Sequence, residues 1–324
     1  MPLPSAVTVG VPVYNAESFV SETLESLQAQ SFTELSIIVS VDRSDDASVE
    51  ECRGFAGDPR FDIVAQPQRL GWIGNCRWLM GRVSSAWFML LSHDDLLLPN
   101  TLERLVRAAE QAPAAAAVFG DALTFGTSQG VRFHAPSLRG GPLGRLATYL
   151  VEHFDALAFR GLIRTDAARA SGGLQPNSSH DFAAEAIWMF KLAWQGELIR
   201  IEGADWRKRM QPGTVSDGWL HWPAERRREA WISHCVEMMA FLATLELPPG
   251  WISLLAHAGL LRLLRATSSL GPYAEVSALD HSQRVEMVRA YRQLLEAQLS
   301  DGKARHRLLQ ATAIAAEAVL ADGE

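Results

Sequence analysis

One stretch constrains the fold more than any other. The apolar run Trp87-Phe88-Met89-Leu90-Leu91 stops at Ser92-His93 and two adjacent carboxylates, Asp94 and Asp95. Such a run reads as a strand buried on both faces, as at the centre of a parallel sheet. It delivers the residues after its C-terminal end to the sheet edge where open α/β folds bind ligands. Pro99-Asn100-Thr101-Leu102-Glu103 then reads as a helix start, with Asn100 and Glu103 at capping-box spacing. Neighbouring carboxylates repel, and a hard divalent cation relieves that repulsion through oxygen ligation. An isolated Asp-Asp pair is more often a solvated turn that caps a helix, so its meaning depends on what surrounds it.

The surroundings alternate strand with helix. Val7 to Asn15 reads as a strand running into a turn. Ala16 to Gln30 follows as an amphipathic helix, with Phe19, Val20, Thr23, Leu24 and Leu27 on one stripe. Leu35 to Val41 is a second buried strand, ending in the polar turn Asp42-Arg43-Ser44-Asp45-Asp46. Phe61 to Ala65 is a third strand and Ile73 to Val83 a third helix. This order implies right-handed βαβ units and a mostly parallel sheet. Ala115 to Gly120 adds a strand, Asp121 to Gly144 reads as loops, and Ala156 to Arg164 reads as another strand. Thr165 is expected to cap a short helix ending at Gly172-Gly173, and Asp181 to open a helix through Trp194. Leu198 to Ile201 and Trp206 to Met210 are short strands. Beyond Pro223 the pattern is wholly helical, near 223–245, 248–267, 280–299 and 302–320. We therefore expect two domains, 1–216 and 217–324.

The 324 residues suffice for a large core plus a smaller second unit. A net charge of −7 argues against a general nucleic-acid binder. Cys52, Cys76 and Cys235 lie too far apart for a metal spacing, and a sparse, odd count fits a reducing cytoplasm. Met1 to Ala6 lacks the basic region of a signal peptide. The longest apolar candidate for a membrane span, Trp251 to Leu270, is interrupted by His257, Arg262 and Arg265. The expectation is a soluble, cytoplasmic protein whose membrane contact would be peripheral, at the inner face.

Four pieces occur in order: Val11-Pro12-Val13-Tyr14-Asn15, Val41-Asp42-Arg43-Ser44-Asp45-Asp46, Leu70-Gly71-Trp72-Ile73-Gly74-Asn75, and Ser92-His93-Asp94-Asp95 with Pro99. Each adjoins a strand end. As a set they resemble an inverting family 2 glycosyltransferase of the GT-A fold, over residues 5 to about 216. That resemblance implies a Rossmann-like, mostly parallel twisted sheet between helices, followed here by an all-helical C-terminal subdomain. It also implies a nucleotide-diphosphate sugar donor, a manganese or magnesium cofactor, and a bacterial setting such as surface polysaccharide synthesis.

The residues carry chemistry that suits those roles. Tyr14 offers a flat face to a pyrimidine. By the resemblance, Asp42 accepts the imide N–H of uracil or thymine, Pro12 and Val13 shape the same wall, and Asn15 belongs to the same donor-binding loop. Gly71 allows close backbone approach, and Asn75 and Arg77 border the nucleoside and phosphates, although Arg77 also reads as a plain surface residue. Ser92 stands where the family commonly has its first Asp. Asp94 matches the metal-ligating position, with His93, a softer ligand suited to manganese, and Asp95 beside it. Asp181 matches the general base that deprotonates the acceptor hydroxyl, with His180 replacing the usual Glu; its alternative is a helix cap. Gln211 stands where many members carry a His and is a poor metal ligand, so Arg207 or Arg209 would supply positive charge. Tryptophans 219, 222, 231 and 251 read as helical core, and the tail is open to acceptor binding or homo-oligomerisation. The acceptor, whether glycan, lipid-linked or protein, is not legible.

Two other readings stay open at this stage. A sugar-phosphate nucleotidyltransferase shares the nucleotide-binding sheet but needs a glycine-rich loop where this chain has Pro12-Val13-Tyr14-Asn15. A non-catalytic nucleotide-sugar binding module is prompted by Ser92, His180 and Gln211.

Overall fold

The alternating apolar runs and amphipathic segments of the first 120 residues fold as strands and helices, whereas Asp121 to Gly144, expected as loops, contains two strands and the start of a helix. The computed structural model describes residues 6–152, 156–203, 205–264 and 279–321. Met1 to Ser5, and the expected 248–267 helix and Trp251 to Leu270 stretch beyond Leu264, lie outside the described residues.

In chain order the elements begin β1 (Val7–Val13), α1 (Val20–Gln28), β2 (Leu35–Val41), α2 (Ser48–Arg53), β3 (Phe61–Ala65), α3 (Gly71–Met80) and β4 (Trp87–Leu90). Then come β5 (Leu96–Leu97), α4 (Thr101–Gln111), β6 (Ala115–Phe119), β7 (Ala122–Gly126), β8 (Arg132–Phe133) and α5 (Pro142–Glu152). A 3₁₀ turn at Leu157–Arg160 leads to β9 (Leu162–Arg164), α6 (Thr165–Ala170), α7 (Ala184–Gln195), β10 (Glu197–Arg200) and β11 (Trp206–Met210). The last described elements are α8 (Val215–Leu220), α9 (Ala224–Ala243), α10 (Pro249–Leu264), α11 (His281–Gln298) and α12 (Lys303–Ala321).

The chain forms two compact units, Met1–Arg139 with Asp155–Gln175 and Gln195–Gln211, and Gly140–Phe154 with Pro176–Trp194 and Pro212–Glu324. This division differs from the expected break at 216/217. Segments 140–154 and 176–194 join the helical unit because their helices are apolar where the C-terminal helices are. α5 packs against α10, and α7 buries Ile187, Trp188, Met189, Phe190 and Leu192, a helix apolar on most sides and therefore interior. Within that unit α10 also packs on α9 and α12, and α11 on α9 and α12. Of the four tryptophans expected as helical core, Trp219 and Trp231 are buried, whereas Trp222 and Trp251 are half-buried. Among the described residues no helix is long and apolar enough to cross a membrane.

The first unit is built on a seven-stranded sheet ordered β10-β6-β9-β4-β1-β2-β3. β4, β1, β2 and β3 run parallel, and β10 runs parallel to β6. Val7, Val9, Val11 and Val13 are wholly buried, each contributing about 1.5–3 kcal/mol of burial. Gly10 admits α3 beneath β1: a Cβ there would meet Leu79 at 3.3 Å and Leu90 at 3.2 Å. β9 departs from the expected strand over 156–164. It is only Leu162–Arg164 and runs antiparallel to both β4 and β6. Gly161 lets the chain enter β9 close against β6, because a Cβ there would lie 2.4 Å from the Val118 carbonyl oxygen. A second, four-stranded sheet, β5-β11-β7-β8, lies in the same unit.

Three capping expectations are corrected. Asn100 precedes α4 without a side-chain cap bond; Gln30 Oε1 instead accepts from Leu102 N at 3.1 Å, and Glu103 accepts from Ser31 Oγ at 2.8 Å. Thr165 begins α6 rather than capping it, its hydroxyl donating to the Ser85 carbonyl at 2.8 Å. α7 begins at Ala184, not Asp181, because His180, Asp181 and Ala183 have positive φ and cannot continue a right-handed helix.

Candidate active site

Three loops leave one edge of the seven-stranded sheet. Val13 pairs with Val41 across β1 and β2, and Gly10 with Leu90 across β1 and β4. Tyr14, Asp42 and the Ser92–Asp95 turn therefore emerge from adjacent C-terminal strand ends, the edge where such sheets bind ligands. The first two loops are laced together. Asn15 N donates to Ser44 Oγ at 3.0 Å, and Asn15 Oδ1 accepts from Asp45 N at 3.0 Å. Asn15 and Arg43 sit at φ +45° and +46°, conformations that this lacing holds in place. Val13 is wholly buried, so its side chain belongs to the core, and Pro12 is half-buried.

Asp42 is 1% exposed, and its carboxylate organises the loop before α3. Oδ1 accepts from Leu70 N at 2.6 Å; Oδ2 accepts from Gly71 N at 3.0 Å and from Arg69 Nη1 at 2.5 Å. Gly71 turns at φ +74°, which favours glycine. The Arg69 guanidinium carbon stands 3.1 Å above the centre of the Tyr14 ring. Sequence reasoning passed over Arg69. Its only signal is its place between the Gln66-Pro67-Gln68 turn and Gly71, and loop residues carry no periodicity to mark them.

Asn75 and Arg77 divide on opposite faces of α3. Asn75 is buried, Nδ2 donating to the Ser40 carbonyl at 3.0 Å, with Oδ1 left without a partner. It ties α3 to β2. Arg77 is exposed and bonds Gln175.

The turn after β4 is pinned by β11. Arg209 N donates to Asp95 Oδ1 at 3.0 Å, and Arg209 Nε donates to the Asp94 carbonyl at 3.1 Å. The Arg209 guanidinium also reaches Glu22 at 2.7 Å and lies over Phe125 at 4.4 Å. Gln211 Nε2 donates to Asp94 Oδ2 at 2.9 Å. Both aspartates are buried. Burial pushes the Asp95 carboxyl above the usual carboxylate range, opposed by the Lys208 charge, reinforced by Asp94 and opposed again by Arg160. Ser92 is half-buried, its carbonyl accepting from Asp95 N at 3.2 Å. His93 turns Nδ1 to the Pro12 carbonyl at 3.1 Å and accepts Thr23 Oγ1 on its own carbonyl at 2.8 Å.

These groups fit a divalent cation in one mode only. Among the described residues no set of three His, Cys, Asp or Glu side chains converges on a metal. Asp95 Oδ1 is committed to Arg209 N, and one Asp94 oxygen to Gln211. A single carboxylate can hold Mg²⁺ or Mn²⁺ when substrate phosphates and water complete the shell, the habit of Mg²⁺ at phosphate sites.

Asp181 belongs to the helical unit. It lies at φ +63°, between His180 at +53° and Ala183 at +46°, three uncommon conformations in four residues. Asn177 holds the turn: Asn177 N donates to Asp181 Oδ1 at 3.2 Å, Nδ2 to the Phe182 carbonyl at 2.9 Å, and Oδ1 accepts from Ser179 N at 3.0 Å. Phe182 anchors it by packing on Trp219, ring centres 5.2 Å apart. Asp181 stays half-exposed; α7 starts at Ala184, so Ala183 rather than Asp181 stands at its N-cap position.

The family model described as "Glycosyl transferase family 2" matches residues 8–169. A protein named "Uncharacterized glycosyltransferase" from Haemophilus influenzae is 30% identical over 106 residues, 32% of this chain and 33% of that protein. "Succinoglycan biosynthesis protein ExoO" from Rhizobium meliloti is 30% identical over 112 residues, 35% of this chain and 32% of that one. The matched stretch is thus about a third of either relative's length. S. aureus TarS 1-349, solved in complex with UDP-GlcNAc, superposes with a TM-score of 0.63 at 14% identity, covering 98% of this chain and 92% of that one. At that identity the likeness is one of fold.

Proposed function

The chain belongs to glycosyl transferase family 2 and is a glycosyltransferase, and from that premise we propose that it transfers a sugar from a UDP- or dTDP-linked donor to an acceptor hydroxyl with inversion. One observation carries this reading: Tyr14, Asp42 and Asp94 emerge from adjacent strand ends, with the basic strand β11 pinned behind Asp94. In this reading the Tyr14 ring stacks on the pyrimidine and Asp42 receives its imide N–H. The site suits the diphosphate beside Asp94, with Lys208 and Arg209 supplying positive charge. Asp94 would hold Mn²⁺ or Mg²⁺ in this reading. When bound, the cation supplies Lewis-acid stabilisation of the departing nucleoside diphosphate.

Asp181 is assigned as general base. Its carboxylate takes the proton of the acceptor hydroxyl as that oxygen forms a bond to the anomeric carbon. The bond from that carbon to the diphosphate oxygen breaks, and its electron pair leaves with the nucleoside diphosphate. Single displacement turns an α-linked donor into a β-linked product. The name of the Rhizobium relative supports a role in polysaccharide synthesis, the sheet-bearing unit carrying donor chemistry and the C-terminal helices acceptor binding or self-association.

A thermal-shift screen of nucleoside diphosphates and their sugars with Mn²⁺ tests the donor class. Stabilisation by UDP or dTDP compounds over CDP and GDP supports it, and stabilisation by GDP alone overturns the pyrimidine assignment.

A further inference from the structure

We propose that Arg69 is an internal competitor of the nucleobase, occupying the base subsite and setting donor affinity. The inference rests on the donor reading above. The Arg69 guanidinium does what that reading asks of a uracil ring. It is planar, lies face-on to Tyr14 at 3.1 Å, and donates from its edge to Asp42 Oδ2 at 2.5 Å. A base stacked on that same Tyr14 face and bonded to that same oxygen cannot coexist with it. Asp42 is 1% exposed, so the base reaches the carboxylate only after Arg69 has left.

Departure is feasible. The Arg69 side chain is 43% exposed, whereas the Asp42 side chain is 1% exposed. The guanidinium therefore has a solvent route out. Leu70 N and Gly71 N stay on the carboxylate when it goes, so Asp42 keeps two donors and its loop keeps its anchor. The exchange trades one stack on Tyr14 for another and one N–H on Oδ2 for another, and gives up the longer Arg69 Nη1 bond to the Asp42 backbone carbonyl at 3.3 Å. Donor binding is thereby reduced by the fraction of protein in which Arg69 has vacated the subsite.

Calorimetric titration of UDP with Mg²⁺ into wild type, Arg69→Ala and Arg69→Met tests this. Arg69→Met keeps the aliphatic stem and guards against a folding defect. Both variants are expected to bind UDP roughly five- to thirtyfold more tightly, with the donor KM falling in parallel. In the protein alone, the Arg69 Nε–H proton should show an upfield ring-current shift that Tyr14→Leu abolishes and UDP removes. Wild-type binding of UDP with equal or weaker binding by both variants overturns the inference and leaves the donor reading standing. Failure of wild type and variants alike to bind any nucleoside diphosphate overturns both.

Discussion

Gln211 donates its side-chain amide to the Asp94 carboxylate across 2.9 Å. That bond puts a neutral donor where a metal ligand would otherwise face the same oxygen. The wild-type protein is therefore expected to bind Mn²⁺ weakly by itself and well with a nucleoside diphosphate. Gln211→His places an imidazole nitrogen beside Asp94 and should tighten Mn²⁺ binding without nucleotide by about tenfold, or ~1.4 kcal/mol. Manganese relaxation titrations measure it, and an unchanged affinity would show that Gln211 does not border the ion.

Asp181→Asn keeps the turn, because an amide oxygen can still accept from Asn177 N, but it cannot take a proton. We expect turnover to fall by roughly 10²–10⁴ while UDP affinity stays within about twofold. Steady-state kinetics beside calorimetry separate the two effects. Full turnover in this variant would remove Asp181 from the chemistry.

Asp42→Asn presents one acceptor oxygen and an amide NH₂ to three donors, Arg69, Leu70 N and Gly71 N. At least one backbone N–H then loses its partner in a buried site, at a cost of about 1–3 kcal/mol. Urea denaturation should show a lower midpoint, and Leu70 and Gly71 amides should exchange faster. Undiminished amide protection would mean that the loop is held by other contacts.

The helical unit carries a pH dependence of its own. His234 is wholly buried and stacked on Trp231, ring centres 5.0 Å apart. Arg262 Nη2 lies 3.2 Å from His234 Nε2, and since guanidinium only donates, that nitrogen must accept. Burial first, and the Arg262 charge second, hold its pKa well below 6.5. The unfolded chain takes up a proton near 6.5 and the folded chain does not, so stability is present above that pH and falls as pH drops below it. Between about pH 7.5 and about pH 5, wild type should lose about 2 kcal/mol more than His234→Gln. Equal losses in denaturation experiments would contradict it.

Much of this was legible in the sequence where local physics decides. Trp87 to Leu91, Leu35 to Val41 and Val7 to Val13 are strands because runs of buried apolar residues have little else to become. Their ends fixed where Tyr14, Asp42 and Asp94 emerge. What was not legible depends on partners distant in sequence. Nothing in 140–154 or 176–194 says that their apolar faces belong with helices beyond residue 212. β9 is antiparallel to both its neighbours, and strand direction leaves no periodic trace. Gln30, not Asn100, satisfies the start of α4 because α1 brings an amide there. Arg69 leaves no periodic trace, because tertiary packing sets its guanidinium over Tyr14.

In the proposed function, Asp94 and the neighbouring strand ends form one pocket for a metal-bound nucleoside diphosphate. Calorimetric titration of UDP with and without Mn²⁺, into wild type and Asp94→Ala, measures it directly. Wild type should bind in a Mn²⁺-dependent way, weakened at least about tenfold by removing either the ion or the carboxylate, with no further loss when both are removed. UDP binding that is indifferent to Asp94 and to Mn²⁺ would contradict it.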